Sequence, residues 1–428
     1  MKNLVVRSLL FLAVIALFIA ADSINSNLNS LGDNNRVPPN VVKYVTPHGT
    51  GDHSGSSWSN AYSFNDMQDN LASNTTYNLI DSTFIVDSIF ISNLSGISFI
   101  GKGKTKTILQ GQSNPFDDDP YLWSIKGFDL ENADNITIKD IQIRRFRGFG
   151  IRVDAASSYF YAYNDSIVNC GWAAREDTSD PSSILIKSPC GVKLFGDDAT
   201  FRRSYIMNSG WDGMQIAGYR TTVDSSIIYS TGEDEPDANH QGDGVHMFQN
   251  PDTSYWVPYG EDSIEVYKTG QARFVACDIN TVVDRKSGIE GGWDSIYYDQ
   301  DSIPYLLEKP LVQVTNSTVI GGKGIGITQD DHPRVGHFST KIENCKIGSL
   351  DPSKPTFRID WADALTTPTT AWIKNNTFYS PLGYNPHPNS VNCPVDEFYT
   401  DSAAVLYLNN KWRVNNVDST FCVKHNLP

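Results

Sequence analysis

WDGMQIAG at 211–218 and GDGVHMFQ at 242–249 decide the fold. Both read as a turn, a glycine, then an apolar, a polar and an apolar residue. The same unit returns as GFGIRV (148–153), CGVKLF (190–195), KSGIEGG (286–292), GKGIGIT (322–328) and, more weakly, PTFRID (355–360). Each copy follows a β-rich segment with a small polar residue before an apolar one: NDSIVN (164–169), RSYIMN (203–208), DSSIIY (224–229), ACDINT (276–281), NSTVIG (316–321) and ENCKIG (343–348). Self-similarity of this kind is the mark of a solenoid.

The shortest repeat, from Lys193 to Gln215, takes 22 residues. That length holds two or three short strands and no helix. Alternating apolar and polar residues are the strand signal. One such coil cannot bury its apolar face, whereas stacked coils can, each strand pairing in parallel with its copy in the next. An antiparallel sandwich would explain the alternation, but not a unit that keeps returning in register. The expected fold is therefore all-β: a right-handed single-stranded parallel β-helix, with longer coils made by insertions at 171–189, 232–241, 250–270, 294–310 and 328–338. Those insertions are rich in Asp, Pro, Tyr and Trp. They suit either the walls of a groove with aromatic rings for sugars or packing on the solenoid flank.

The segment KYVTPHGTGDHSGSSWSNAY (43–62) is similar to the opening of many exported β-helix proteins, with its YV, spaced glycines and S-W-x-x-A. With the repeats and their Asn/Ser/Thr-rich turns, the chain resembles the pectin-lyase-like superfamily over roughly 43–415. That resemblance implies a β-helix. For function it implies lyases, hydrolases, epimerases, adhesins and proteins without activity alike.

The chain opens as a signal peptide would. Lys2 and Arg7 flank LLFLAVIALFIAA (9–21), an apolar run too short to span a bilayer, with small residues at a cleavage point near 21–23. The expected layout is a signal peptide over 1–22, a flexible polar leader over 23–42, the parallel β-helix over 43–378 and C-terminal strands with a cap over 379–428. A short amphipathic helix is expected over 58–75, covering the first coil's open edge. A secreted protein with no membrane span follows, and a monomer is expected. The net charge of −15 argues against nucleic acid as partner. The acidity suits either bound calcium or a merely soluble surface.

Six cysteines in an exported chain permit disulfides. Cys170 and Cys190 bracket one insertion and Cys393 and Cys422 share the tail, so these two pairs are expected. Cys277 and Cys345 hold the same place two coils apart, with Ser317 between them. At about 9.6 Å that is too far to bridge, so both are expected free. Six N-x-S/T sequons, at Asn74, Asn93, Asn135, Asn164, Asn316 and Asn375, are either glycan acceptors or turn residues whose composition mimics one.

Aligned on the repeat, the central polar position reads Arg152, Lys193, Gln215, His246, Glu290, Gly326, Arg358, and its apolar neighbours point the other way. Three residues earlier a second row reads Phe149, Cys190, Asp212, Asp243, Ser287, Lys323. Adjacent members should lie about 4.8 Å apart. Asp212, Asp243, His246, Lys193 and Glu290 are thus the catalytic candidates. Arg152, Gln215, Trp211, Arg285, Lys286, Asp330 and His332 are candidates for holding substrate, and Asp212, Asp243, Asp330 and Asp331 for holding a metal, with calcium the expected ion. Two carboxylates one coil apart bind a hard cation or split their pKa values. At roughly 5–5.5 Å they also suit a retaining glycosidase. A neighbouring His or Lys is a base for β-elimination. The plainer alternative for the two aspartates is turn chemistry, since Asp-Gly is a common turn pair. Arg144, Arg145, Arg147 and Arg152 suit an anionic sugar group or a solvated face. QDDHPRVGH (329–337) resembles the Asp-Asp and Gly-His elements of polygalacturonase-like hydrolases, but those elements sit on different coils there, so the assignment is not carried over. The expectation is a polysaccharide lyase on a uronate-containing polymer. The alternatives are a non-catalytic adhesin or carbohydrate-binding protein, and a glycoside hydrolase.

Overall fold

The structure, a computed structural model, describes residues 41–111, 124, 126–171, 189–231, 242–247, 249–259, 262–269, 272–280, 289–291, 311–321, 327–330, 339–351, 355–360, 370–380, 395–398, 404–419 and 423–426. The expected signal peptide lies outside them. So do Cys393 and Cys422.

Three long sheets of twelve, eleven and twelve strands carry most of these residues, and Gln249–Tyr259 pairs separately with Asp262–Thr269 as an antiparallel ribbon. We call the long sheets A, B and C. One coil runs Thr200–Arg202 in sheet A, Tyr205–Ser209 in sheet C and Asp212–Ile216 in sheet B. The next runs Thr221–Asp224, Ile227–Thr231 and Val245–Met247. Each strand pairs in parallel with its counterpart one coil on, as Thr200 does with Thr222, Tyr205 with Ile227 and Gln215 with His246. The chain is a parallel β-helix, with the right-handed crossover that parallel connections take.

Strands this short are held by what they stack inside. In sheet A the inward residues of successive coils are Ala162, Phe201, Val223, Phe274, Val314, Ile342 and Ile373, each registered on the next and fully buried. Burying a side chain of this size contributes about 1.5–3 kcal/mol. No single coil could gather that alone.

The turn from sheet A to sheet C uses two residues with separate tasks. The first takes positive φ: Asp140, Asn164, Arg203, Ser225, Ala276, Asn316, Asn344, Asn375 and Asn409. Asn reaches this region more easily than most residues, which explains the Asn-rich pattern. All six sequon asparagines have φ between 52° and 56°... 56° at Asn74, Asn93, Asn135, Asn164 and Asn375, and 52° at Asn316. The second residue points inward and carries a hydrogen bond from coil to coil. The Asp165 amide donates to Ser204 Oγ (3.0 Å), the Ser204 amide to Ser226 Oγ (3.2 Å), the Cys277 amide to Ser317 Oγ (3.0 Å) and the Cys345 amide to Asn376 Oδ1 (2.9 Å). These side chains are the small polar residues of the repeat, and all are buried.

Four expectations need correction. The helix expected over 58–75 is a three-residue turn of 3-10 helix and the α-helix Phe64–Asp69. Ser63 caps that helix and pairs with Asp66 in a capping box. β-branched Thr75 and Thr76 start a strand, Thr75–Leu79, that the helical reading had absorbed. The first strand, Val41–Val45, begins inside the expected leader. Beyond 379 the strands Val395–Phe398, Ala404–Leu408 and Lys411–Val414 continue sheets B, A and C in parallel, so solenoid pairing runs past the expected cap boundary. Finally, Cys170 and Cys190 form no disulfide. Both are free and buried, as are Cys277 and Cys345. Burial pushes the Cys170 thiol up to about 12 and the Cys190 thiol higher still.

Candidate functional site

The outward row of sheet B is the site. From the first coils on it reads Asp129, Arg152, Lys193, Gln215, His246, Glu290, Thr328 and Arg358, each registered on the next. Thr328, and not the expected Gly326, holds its place. GKGIGIT contains two overlapping copies of the repeat, and Ile327 is the residue that pairs inward with Ile289 and Phe357.

Asp212, Asp243 and His246 come together, each offering one atom within 4.8 Å of the others. The geometry follows from the strands. Asp212 opens Asp212–Ile216, and Asp243 stands just before Val245–Met247 one coil later. The Asp243 amide donates to Asp212 Oδ1 (2.8 Å), which locks the two coils together. Gln215 Nε2 donates to Asp212 Oδ2 (2.7 Å). His246 Nδ1 lies 3.7 Å from Asp212 Oδ2 and 3.8 Å from Asp243 Oδ2. Trp211, half-buried, directly precedes Asp212.

Apolar neighbours that point the other way place this row on the outer face of the sheet. It does face away from the solenoid core, yet Asp212 and Asp243 are 0% exposed and Gln215 is 1%. Only the His246 side chain, at 25%, opens here. Alternation tells which face a residue takes. It does not tell whether more chain lies over that face.

Lys193 holds its ammonium 4.6 Å from the Phe195 ring centre and 5.3 Å from that of Phe149, as cation–π contacts. Arg152 is bound in an ion cluster: its Nη1 donates to Asp129 Oδ1 (2.7 Å) and Glu131 Oε1 (2.9 Å), and Lys126 Nζ meets Asp129 Oδ2 at 2.5 Å. Burial works against the Arg152 charge, but these bonds outweigh it and raise its pKa. Asp129 was missed in the sequence, although KGFDLE (126–131) carries the same unit as Gly127-Phe128-Asp129-Leu130. Arg144 is also engaged, its Nε donating to Gln110 Oε1 at 2.7 Å.

Glu290 is registered on His246, and Asp330 lies on the strand Ile327–Asp330 two coils beyond. Arg285, Lys286, Asp331 and His332 lie outside the described residues. Of the thirteen catalytic, substrate and metal candidates, then, the structure gathers Asp212, Asp243, Gln215 and His246, sets Lys193 one rung before Gln215, and turns Arg152 toward its own acids.

Comparison with family profiles finds no match, and comparison with curated proteins finds none. Among solved structures, the A-module of the mannuronan C-5 epimerase AlgE4 from Azotobacter vinelandii is similar at 10% identity, covering 82% of this chain and 88% of that one, with a TM-score of 0.48. A rhamnogalacturonan lyase gives 12% identity, 86% and 87% coverage and 0.48. PfbA, a surface adhesin of Streptococcus pneumoniae, gives 11%, 80% and 78%, and 0.43. Likenesses this distant carry nothing about activity. The fold stands on the strand pairings above.

Proposed function

We propose that the chain is an exported polysaccharide lyase that cleaves a uronate-containing polymer on the outward face of sheet B. The observation that carries this reading is the convergence of Asp212, Asp243 and His246 within 4.8 Å, with Lys193 one rung before Gln215 and two before His246. Elimination needs a base for the proton beside the uronate carboxylate and positive charge to meet that carboxylate. Lys193 supplies the base. Its Nζ, once the ammonium has given up a proton to solvent, takes the proton beside the carboxylate, the released electron pair forms the new carbon–carbon double bond, and the glycosidic oxygen departs with its bonding pair and takes a proton from water. Its long stem lets the amine reach a sugar lying across the Gln215 and His246 rungs. Asp212, Asp243 and Gln215 offer oxygen donors for a cation, which would supply the positive charge. Calcium fits those oxygens, while the imidazole in the same set does not suit it.

Hydrolysis fits less well, because a glycosidase presents two carboxyl groups to opposite sides of the bond, and Asp212 and Asp243 are both buried. That same burial favours a second reading, a non-catalytic carbohydrate-binding face. An assay separates them. The protein is incubated with a panel of uronate polysaccharides and the ultraviolet absorbance of unsaturated ends is followed. Wild type should produce it, and Lys193→Ala should lower turnover by about a hundredfold or more. Full activity in that variant, or no cleavage of any polymer by wild type, refutes the proposal.

A further inference from the structure

We infer that Asp212, Asp243, His246 and Gln215 bind one divalent first-row transition ion of the Zn2+ class, in preference to calcium. The inference rests on reading this cluster as the functional site, and it deepens that reading by naming the ion.

The spacing is the first observation. His246 Nδ1 stands 3.7 and 3.8 Å from one oxygen of each aspartate. Those separations exceed a hydrogen bond. They match ligands around one small ion: with bonds of about 2.1 Å and angles of about 110–130°, neighbouring ligand atoms lie about 3.4–3.8 Å apart. Two buried carboxylates one rung apart also repel, and a divalent charge between them offsets both.

The second observation is independent. Gln215 is 1% exposed, its Nε2 is pinned to Asp212 Oδ2, and its Oε1 has no hydrogen-bond partner. Amide geometry keeps that oxygen about 2.2 Å from Nε2, so it sits at the edge of the cluster. A cation placed among the three side chains would satisfy that buried amide oxygen. The donor set then selects the ion. Calcium takes six to eight oxygens. Three oxygens with one imidazole nitrogen suit zinc and its first-row neighbours.

The full chain is dialysed to equilibrium against Zn2+ or Co2+, and bound metal is measured by elemental analysis. One ion per chain is expected, retained against about a hundredfold excess of Ca2+. Bound Co2+ should show the intense visible bands of a four- or five-coordinate site, a readout that needs no variant. His246→Ala should weaken binding at least about a hundredfold and Gln215→Leu about tenfold. His53→Ala, which breaks the exposed His53–Asp66 pair, should leave it unchanged. Absence of stoichiometric binding, displacement by Ca2+, a weak octahedral Co2+ spectrum, or undiminished binding in His246→Ala would each overturn the inference. An ion bound by a protein that cleaves nothing upholds it and sinks the lyase reading. Cleavage by a protein that binds no ion does the reverse.

Discussion

Replacing Asp165 tests how the solenoid is held together. Asp165 is fully buried in the polar ladder, and its carboxylate accepts the amides of Ile141 (Oδ1, 2.9 Å) and Tyr163 (Oδ2, 3.0 Å). Asp165→Ala leaves both donors without an acceptor, at about 1–3 kcal/mol for the buried Ile141 amide and less for the part-buried Tyr163 amide. Asp165→Asn should cost far less. Asn376 fills the same place six coils on, with its Oδ1 accepting the Cys345 amide and its Nδ2 donating to the Ile342 carbonyl. An amide at 165 can keep the Ile141 bond in that way and loses only the Tyr163 bond. The pH dependence has a definite sign. Burial, the largest cause, holds the folded Asp165 pKa well above its ordinary 3.8, against the two backbone bonds that lower it. The native state therefore binds the proton more tightly than the unfolded chain, and stability falls as pH rises from the ordinary carboxylate range toward the folded value. Asparagine has no such loss. Guanidinium unfolding of wild type and both variants at several pH values, with hydrogen exchange at Ile141 and Tyr163, checks this. The Ala variant should be the weakest at every pH, and the Asn variant should gain on wild type as pH rises. An Asn variant whose deficit is independent of pH, or an Ala variant as stable as wild type, would refute the reasoning.

Two further outcomes are expected. Cys170, Cys190, Cys277 and Cys345 are buried with raised pKa values, so iodoacetamide at neutral pH should label them only after unfolding; rapid labelling of the native protein would contradict their placement. Gly218→Ala should destabilise by about 1–3 kcal/mol or more, because an added Cβ would lie 2.0 Å from the Gly196 carbonyl oxygen; near-wild-type unfolding would mean that the coils are spaced more widely there.

Much of the fold was legible because stacking forces equivalent residues to repeat. The unit around Gln215, His246 and Glu290 gave their register directly, and Cys277, Ser317 and Cys345 revealed the polar ladder by holding one position. Legibility failed where the pattern was ambiguous or silent. GKGIGIT offers two copies of the unit, and only the pairing of Ile327 chooses between them. Cys170 and Cys190 flank an insertion, which in sequence looks like a bridge, but spacing does not fix side-chain direction. The burial of Asp212, Asp243 and Gln215 left no trace in their own strands, since the repeat sets the face a side chain takes and not what surrounds it. Stability is expected to drop in Asp212→Ala, because the Asp243 amide and Gln215 Nε2 lose their acceptor.

Cleavage in heavy-oxygen water tests the proposed chemistry most directly. The new ends are examined by mass spectrometry after digestion of a responsive uronate polysaccharide. Elimination adds no water across the broken bond, so the account predicts fragments with no solvent oxygen and one unsaturated end. Incorporation of heavy oxygen into one new end of each cut would contradict it and identify a hydrolase.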